Sequence, residues 1–228
     1  MQTTFDFVEG EVLLIDKPLK WTSFDVVNKI RWAIKLKKIG HAGTLDPLAT
    51  GLLILCTGKK TKQIDQFQAQ EKEYTGVLVF GKTTPSIDLE TDFDSETNTD
   101  NLQESQIREA VETFKGLISQ FPPQYSAVKI GGKPAYLSAR KGKNVEVKSR
   151  EVTVYEFEIT ALALPSLHFR IRCSKGTYIR SLVKDLGDKL GVGAYLAELR
   201  RTKIGDFDVK NAWQVQDLIE KIKNTTKQ

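Results

Sequence analysis

The chain has 228 residues, of which 40% are hydrophobic and 28% charged, and its formal net charge is +5. This composition excludes a fibrous or intrinsically disordered protein, and the longest apolar run, residues 52–56, is too short to cross a bilayer as a helix. The acidic N-terminal segment lacks the layout of a secretory signal, and two cysteines fit a reducing compartment. We therefore expect a cytoplasmic globular protein with no membrane segment.

The charge is unevenly distributed along the chain. Residues 86–104 contain seven of the 29 acidic residues and no Lys or Arg, which leaves 22 acidic residues against 34 basic ones elsewhere. Such a surplus attracts a polyanion, because binding releases the counterions of the polyanion. Charge alone does not decide between a nucleic-acid partner and an ordinary surface of solvated lysines.

The N-terminal part of the chain predicts a strand followed by a helix. Residues 11–18 form a short apolar strand that ends at a proline. Thr22 or Ser23 is the expected N-cap of the helix, and its C-terminal half is rich in cations, which suit the helix dipole there. The expected apolar stripe of this helix consists of Phe24, Val27, Ile30 and Ile34.

The middle of the chain alternates between ordered and irregular segments. Residues 73–80 predict a strand, and the acidic stretch after it has turn residues without periodicity, so we expect a solvated loop there. A short helix follows, with Ser105 as cap and Gly116 as stop. Prolines and glycines in residues 121–143 predict an irregular, exposed segment. The apolar stripe of the short helix consists of Ile107, Ala110, Val111 and Phe114.

Two strands and a helix are predicted in the C-terminal third. Residues 150–160 and 167–173 alternate as strands do, and the period then changes to that of a helix beginning near Thr177. One more short helix is expected through Trp213 and Leu218. Because strands outnumber helices and do not alternate with them, the predicted fold class is α+β with a mixed, mostly antiparallel sheet. The stripe of the longer helix consists of Ile179, Leu182, Val183, Leu186 and Leu190.

Residues 40–53, GHAGTLDPLATGLL, place a single acid, Asp46, among apolar neighbours and between glycines. A carboxylate in such surroundings is costly unless it is paired or used. A lone carboxylate acts as a nucleophile or proton acceptor at a sugar carbon if a nearby cation keeps it ionised. Arg180 is our candidate cation, because a guanidinium stays charged when buried and forks onto a carboxylate. A structural role for both residues remains the alternative.

Other motifs exclude several kinds of site. The two histidines and two cysteines lack the spacing of metal ligands, which argues against a metal site. The TGKKT segment lacks the first glycine of a Walker motif, which argues against a nucleotide triphosphate site. No dinucleotide-binding fingerprint follows a predicted strand. We therefore expect neither a metal nor a cofactor. Tyr74 is either a core residue or a ring that stacks on a base. His41 is either a structural residue or a residue that contacts RNA.

Five segments together resemble the TruB-type tRNA pseudouridine synthases, in the short bacterial form without a PUA domain. They cover most of residues 9–210 in the family's order. The segments are KKIGHAGTLDPLATGLL around Asp46, KEYTG around Tyr74, FPPQYSAVKIGGKPAY from Phe121, RCSKGTYIRSLVKDLG from Arg172 and ELRRTKIGDF from Glu198.

The resemblance implies a catalytic domain built on a long central sheet that isomerises uridine 55 in the TΨC loop of tRNA. The base is flipped, the glycosidic bond breaks, the base rotates and C5 bonds to C1′, with no cofactor or metal. By position, the resemblance implies that Asp46 is the catalytic aspartate, that Arg180 pairs with it and that Tyr74 stacks on the flipped base. It also implies substrate contacts for His41, Gly43, Thr44 and Leu199, and phosphate contacts on the T arm for Lys129, Lys133, Arg140 and Lys141.

Several points remain open at the level of sequence. The sequence does not decide whether Asp46 attacks C1′, abstracts a sugar proton or adds to C6 of the base. The expected division is a catalytic domain of residues 1–210 and a helical tail of residues 211–228, in a monomer. Asp88 matches an acid near the active site of relatives, although we interpret its loop as solvated surface. Two other functions remain: a non-catalytic T-arm binder or RNA chaperone, and a ribosomal RNA pseudouridine synthase.

Overall fold

A computed structural model describes residues 5–126, 128–143 and 145–225, with the side chains of Lys129, Ile130 and Thr225 outside the description. The strands in chain order are β1 (Val12–Lys17), β2 (Ile39–Ala42), β3 (Ala49–Thr57), β4 (Lys72–Phe80), β5 (Lys82–Thr83), β6 (Ser95–Glu96), β7 (Gly116–Gln120), β8 (Lys129–Ile130), β9 (Lys133–Pro134), β10 (Arg150–Ala163), β11 (Ser166–Cys173), β12 (Ala194–Ile204), β13 (Phe207–Asp208) and β14 (Trp213–Gln214). The helices are α1 (Ser23–Ile34), α2 (Ile64–Ala69), α3 (Glu104–Glu112), α4 (Tyr136–Ala139), α5 (Ile179–Lys189) and α6 (Val215–Thr225).

The chain divides into two units. The first unit runs from the N-terminal side to Tyr74 and resumes at Leu199, and the second comprises Thr75–Glu198. The boundaries fall inside β4 and β12, so each of these strands contributes residues to both units.

The first unit contains strands in the order β14-β1-β3-β12, with β2 paired to β3 and β13 to β12. β1 and β3 are antiparallel, whereas β14 runs parallel to β1 and β12 parallel to β3. Helices α1 and α6 pack on one face and α2 on the other, so β3 needs apolar residues on both faces, which explains its uninterrupted apolar run. The α1 and α6 side of the sheet is lined by Leu13, Ile15, Leu53 and Leu55, and the α2 side by Leu52, Ile54 and Cys56.

The second unit contains strands in the order β4-β11-β10-β7, in which β10 is antiparallel to both β11 and β7. Helix α3 contacts β10 and α5. The predicted faces of β11 and α5 are confirmed, because the alternate residues Leu167 to Cys173 are buried and so is most of the α5 stripe. The pairings in the two units confirm an α+β fold with a mixed, mostly antiparallel sheet.

The outward face of β10 and β11 carries an ion-pair ladder. The Arg170 guanidinium lies 2.7 Å from Glu156 and 2.8 Å from Glu158, and Arg172 lies 2.9 Å from Glu156. These cross-strand pairs are the ordinary way for an exposed strand face to balance its charge.

Two local predictions are wrong, and a third holds only in part. Phe24 is exposed, because α1 turns Val26 instead of Phe24 toward the core. The N-cap of α3 is Gln103, which forms a capping box with Gln106, so Ser105 already lies inside the helix. Residues 121–143 are less irregular than expected, since they contain β8, β9 and α4 and bury Ala135.

The C-terminal segment packs into the first unit. Leu218 is fully buried in the core cluster that also contains residues of β1 and α1, whereas Trp213 precedes the helix and lies in β14. A domain boundary at residue 210 stays a prediction. Within the described residues, no helix is both long and apolar enough to span a membrane. Cys56 and Cys173 are buried free thiols.

Candidate active site

Asp46 lies in the connection between β2 and β3. These strands are antiparallel, with Ala42 opposite Ile54, so the chain must reverse direction over residues 43–48. The main-chain N–H of Ala49 donates to the Asp46 carbonyl over 3.0 Å and closes the turn. The side chain of Asp46 is half-buried. We call residues 43–47 the aspartate loop.

Ser23 fixes the middle of the aspartate loop to the first turn of α1. Its hydroxyl accepts from the Leu45 N–H over 2.9 Å and donates to the Leu45 carbonyl over 3.3 Å. The helix begins here because Thr22 and Asp25 form a capping box, in agreement with the predicted cap. Asp46 therefore follows a residue whose main chain is held on both sides.

Lys17 fixes the end of the aspartate loop. Its side chain is fully buried, and its ammonium donates to the carbonyls of Trp21, Pro18 and Pro47 at 2.6, 3.0 and 3.4 Å. Burial lowers the pKa of Lys17 to about 8, although the Asp46 carboxylate acts to raise it. The ammonium is therefore close enough to Asp46 to interact with its charge.

Arg201 of β12 fixes the start of the loop. This buried guanidinium donates to the carbonyl of Leu52 over 2.7 Å, and more weakly to Gly43 over 3.1 Å and Thr44 over 3.5 Å. Gly51 has a φ of +103°, and a Cβ there would lie 2.3 Å from the Arg201 carbonyl oxygen. Only glycine allows this approach of β3 to β12, which explains one of the glycines around Asp46.

His41 on β2 precedes the aspartate loop. Burial, and then the positive charge of Arg201, lower the pKa of His41, so the imidazole is neutral near pH 7. Its Nδ1 is buried and has no hydrogen-bond partner within the described part of the chain. A hydrogen bond with the Gly43 main chain acts to raise this pKa but is outweighed, and a ring with a lowered pKa suits a contact made by hydrogen bonding or stacking better than an ionic one.

Leu199 and Tyr74 occupy strands of the first unit. Leu199 is half-buried and lies opposite Ala49, three residues after Asp46, in the parallel pair of β12 and β3. Tyr74 lies in β4 and is 8% exposed. Burial agrees with both interpretations of Tyr74, a core residue and a ring that receives a base. The structure thus brings His41, Gly43, Thr44, Asp46 and Leu199 together around one loop.

Arg180 belongs to the second unit, in the first turn of α5. It is 3% exposed, and its guanidinium donates to the carbonyls of Ser86 and Tyr125 over 2.9 and 2.7 Å. Its Nε lies 3.7 Å from a carboxylate oxygen of Asp88. The alternative that Arg180 merely decorates the helix surface is wrong, since a guanidinium buried to this degree needs such partners.

Asp88 corrects the interpretation of the acidic stretch. Residues 92–98 are exposed, as expected of a solvated loop, but Asp88 is 5% exposed. The hydroxyls of Thr84 and Ser86 donate to its carbonyl over 2.6 and 3.1 Å, and the Leu196 N–H donates to the Ile87 carbonyl. The start of this loop is therefore a fixed part of the Arg180 surroundings.

The predicted phosphate contacts lie on the segment that contains β9 and α4. Lys133, Arg140 and Lys141 are exposed, while the side chain of Lys129 lies outside the described residues. Arg140 donates to Glu90 over 2.5 and 3.2 Å and lies over the Tyr136 ring at 5.3 Å. This arginine thus has an acidic partner within its own unit.

Sequence reasoning missed three residues that hold the aspartate loop: Lys17, Ser23 and Arg201. For Lys17 a signal existed, because alternation along β1 places it on the same inward face as Leu13 and Ile15. A cation at an inward strand position is unusual enough to suggest a role. Within the described residues, no group of three or more His, Cys, Asp and Glu side chains is arranged to hold a metal ion.

Comparison with protein families gives two adjacent matches. The model described as "TruB family pseudouridylate synthase (N terminal domain)" matches residues 31–179, and "tRNA pseudouridylate synthase B C-terminal domain" matches residues 180–228. The first match contains Asp46, Tyr74 and the aspartate loop, and the second begins at Arg180.

Individual proteins agree with the family matches. The chain is 55% identical over 217 residues to tRNA pseudouridine synthase B of Flavobacterium johnsoniae, covering 92% of this chain and 95% of that one. It is 52% identical over 222 residues to tRNA pseudouridine synthase B of Chloroherpeton thalassium, covering 95% and 92%.

Among solved structures, a Cbf5-Nop10-Gar1 complex contains a similar chain, with a TM-score of 0.72 and 31% identity over 94% of this chain. A chain of the archaeal box H/ACA sRNP Nop10-Cbf5 complex has a TM-score of 0.68 and 29% identity over the same share. The present chain spans about half, 54%, of the length of each.

Proposed function

Because the chain belongs to the TruB family of pseudouridylate synthases, we propose that it converts uridine 55 in the T loop of tRNA to pseudouridine. It is an isomerase of RNA. The observation that carries the proposal is the aspartate loop: Ser23, Lys17 and Arg201 hold its main chain at the middle, the end and the start. A loop built in this way presents one carboxylate in a fixed position.

The proposed reaction balances without a co-reactant. The N1–C1′ bond of the uridine breaks, the uracil turns, and a C5–C1′ bond forms. C5 loses its proton and N1 gains one. Asp46 serves each of the three routes considered, namely attack on C1′, abstraction of a sugar proton and addition to C6, only as an ionised carboxylate.

Positive charge within the first unit supports an ionised Asp46. The ammonium of Lys17 interacts with this carboxylate, and Arg201 adds a second buried cation beside the same loop. A neighbouring cation favours the charged form of a carboxylate, whereas desolvation alone would favour the neutral form.

Arg180 is the proposed ion-pair partner of Asp46. What supports this is the way its guanidinium is held: two nitrogens donate to carbonyls of Ser86 and Tyr125, and Asp88 lies beside the third. A planar cation oriented by several partners is suited to a directional pair with a carboxylate.

The substrate base must leave its stack before Asp46 reaches the sugar, at a cost of a few kcal/mol in comparable enzymes. We propose that Tyr74 stacks on the flipped uracil and that Leu199 lines its pocket. The neutral His41, with Gly43 and Thr44, contacts the RNA that the base has vacated.

The segment that contains β8, β9 and α4 is proposed to hold the phosphates of the T arm through Lys129, Lys133, Arg140 and Lys141. Arg140 would then exchange Glu90 for a phosphate oxygen, a like-for-like replacement of one anionic acceptor by another. The proposed enzyme is a monomer and works in the cytoplasm.

The test is incubation of the full chain with an unmodified tRNA transcript, followed by chemical mapping of pseudouridine. We expect one modified position, in the T loop. The Asp46→Asn variant is expected to lose turnover by more than about a thousandfold while binding tRNA within severalfold. Asp65→Asn, which changes an exposed acid in the first turn of α2, is the matched control and should be fully active.

Three outcomes would contradict the proposal in different ways. Modification of ribosomal RNA but not of tRNA would keep the chemistry and change the substrate. Binding of the T arm without any pseudouridine would indicate a non-catalytic RNA binder. Full turnover by Asp46→Asn would remove Asp46 from the mechanism.

A further inference from the structure

Helix α1 exposes two large aromatic side chains. Its inward face, with Val26, Val27 and Ile30, is buried, yet Phe24 is 59% and Trp32 81% exposed. Trp32 is the most exposed of the large apolar side chains in the described part of the chain. A tryptophan presented almost entirely to solvent is a candidate contact residue, because Trp is enriched among the residues that dominate binding energy.

Helix α1 and the residues that follow it are rich in basic side chains. Residues 25–38 contain five basic residues and one acid, Asp25, whose carboxylate accepts from Thr22 in the capping box. The Arg31 guanidinium lies 6.0 Å from the centre of the Phe24 ring and donates to Asn28 over 3.0 Å. The basic residues are Lys29, Arg31, Lys35, Lys37 and Lys38.

Resting on the function proposed above, we propose that the outer face of α1, formed by Phe24, Asn28, Lys29, Arg31 and Trp32, is a second contact surface for the same tRNA. The cations bind phosphates, and Trp32 stacks on an exposed base or ribose. Aromatic rings among cations are the arrangement with which proteins hold single-stranded or looped RNA.

Charge decides for RNA over a protein partner. The central part of a protein–protein interface is depleted in lysine, whereas this face carries Lys29 together with Arg31, which lies 6.0 Å from the Phe24 ring. A polyanion gains from every one of these cations through counterion release.

The position of α1 explains how one RNA reaches both surfaces. Ser23 ties the first turn of α1 to Leu45, next to Asp46, and the chain leads from the other end of the helix into β2 with His41. Trp32 follows Ser23 by nine residues, about 14 Å along the helix axis and on the opposite side of α1, so an RNA that reaches both surfaces passes around the helix.

The experiment compares Trp32→Ala, Trp32→Phe and Lys29→Ala with the full wild-type chain, using an unmodified tRNA transcript. Tyr155→Ala is the matched control, because Tyr155 is also an exposed ring beneath an arginine, 5.0 Å from Arg172, but lies on β10. The readouts are Kd for the transcript, KM and kcat for pseudouridine formation, and the thermal unfolding midpoint.

For Trp32→Ala we expect Kd and KM to rise about five- to tenfold with kcat unchanged, the effect of losing one stacked base. Trp32→Phe, which keeps a stacking ring, should remain within about twofold of wild type. Lys29→Ala should reduce the slope of log Kd against log salt by about one, since one phosphate contact is lost. Tyr155→Ala should leave every readout unchanged.

Equal Kd and KM in Trp32→Ala and wild type would overturn the inference and leave the proposed function intact. A wild-type chain that self-associates in sedimentation, with Trp32→Ala monomeric, would also overturn it by assigning the surface to a second copy. Absence of pseudouridine in the wild type would instead overturn the proposed function, while the Kd comparison still decides the role of α1.

Discussion

The aspartate loop and the start of α5 both bury positive charge, but they stabilise it differently. Lys17 and Arg201 donate to main-chain carbonyls of the loop and its neighbours. Arg180 also donates to carbonyls, but in addition faces the carboxylate of Asp88. Carbonyl dipoles and the Asp46 carboxylate compensate the Lys17 ammonium incompletely, and burial accordingly lowers the pKa of Lys17 to about 8. The charge beside the aspartate loop therefore depends on pH near 8.

The largest expected effect separates the charge of Arg180 from its shape. In Arg180→Lys the cation remains, but an ammonium cannot contact the carbonyls of Ser86 and Tyr125 and the carboxylate of Asp88 in one plane. We expect the single-turnover rate of pseudouridine formation to fall by about a hundredfold or more, as it does when a directional contact worth about 3 kcal/mol in the transition state is lost. Arg108→Lys, an exposed arginine paired with Glu104, is the control. A near-normal rate would make the geometry of Arg180 irrelevant.

The next effect tests whether the loop depends on carbonyl contacts. Arg201→Met leaves the carbonyls of Leu52 and Gly43 without their buried donor, so the free energy of unfolding in urea should fall by about 3 kcal/mol. The neighbouring Arg200→Met loses a pair with Asp16 in which the arginine side chain is 40% exposed, and it should cost less than Arg201→Met. Equal losses in the two variants would contradict the positioning role of Arg201.

The pH dependence of stability sharpens the comparison further. Because the folded-state pKa of Lys17 is lowered from 10.5 to about 8, the unfolded chain binds more protons between these values. The contribution of this group to the free energy of unfolding therefore rises with pH, by about 2 kcal/mol between pH 8 and pH 10. Urea unfolding of wild type and of Lys17→Met at pH 8 and pH 10 measures this contribution. It is the difference between the two proteins in how much the free energy of unfolding changes with pH.

Activity should change in the opposite direction over the same range. Above pH 8 the neutral Lys17 no longer attracts the Asp46 carboxylate, so kcat is expected to decline while stability improves. Parallel stability curves for wild type and Lys17→Met would show that Lys17 does not titrate as a buried group.

The smallest expected effect concerns Ser23. Ser23→Ala removes the partner of both main-chain groups of Leu45, and the free energy of unfolding should fall by about 1–2 kcal/mol in urea titrations. Ser95→Ala, at an exposed position of β6, should leave it unchanged. Equal stability of the two variants would contradict a stabilising role of Ser23, because water would then replace its hydroxyl at no cost in free energy.

Local features of this fold were predictable from the sequence, and long-range ones were not. The strand before Pro18, the Thr22 cap and the α5 stripe follow from periodicity and capping over a few residues. The partners of Arg201 lie 149 to 158 residues away along the chain, so no local pattern reveals them. Asp46 stood out because its neighbours are apolar, and Lys17 could have stood out as a cation at an inward strand position, whereas Ser23 and Arg201 look ordinary in sequence.

Phe24 shows that a helix can be predicted correctly while its buried face is predicted wrongly. Its spacing fits the stripe of Val27 and Ile30, but Val26 fills the core position instead. Periodicity counts apolar residues and cannot tell a core ring from one kept outside for a partner.

The ion-pair ladder on β10 and β11 bears on the encounter with a large polyanion. Its arginines are matched by Glu156 and Glu158, so this strand face exerts little net attraction at a distance. The excess positive charge of the chain is consequently concentrated elsewhere, including on α1. An approaching RNA is then oriented before it touches the surface, and the association rate should decline steeply with ionic strength even where the final contacts are apolar.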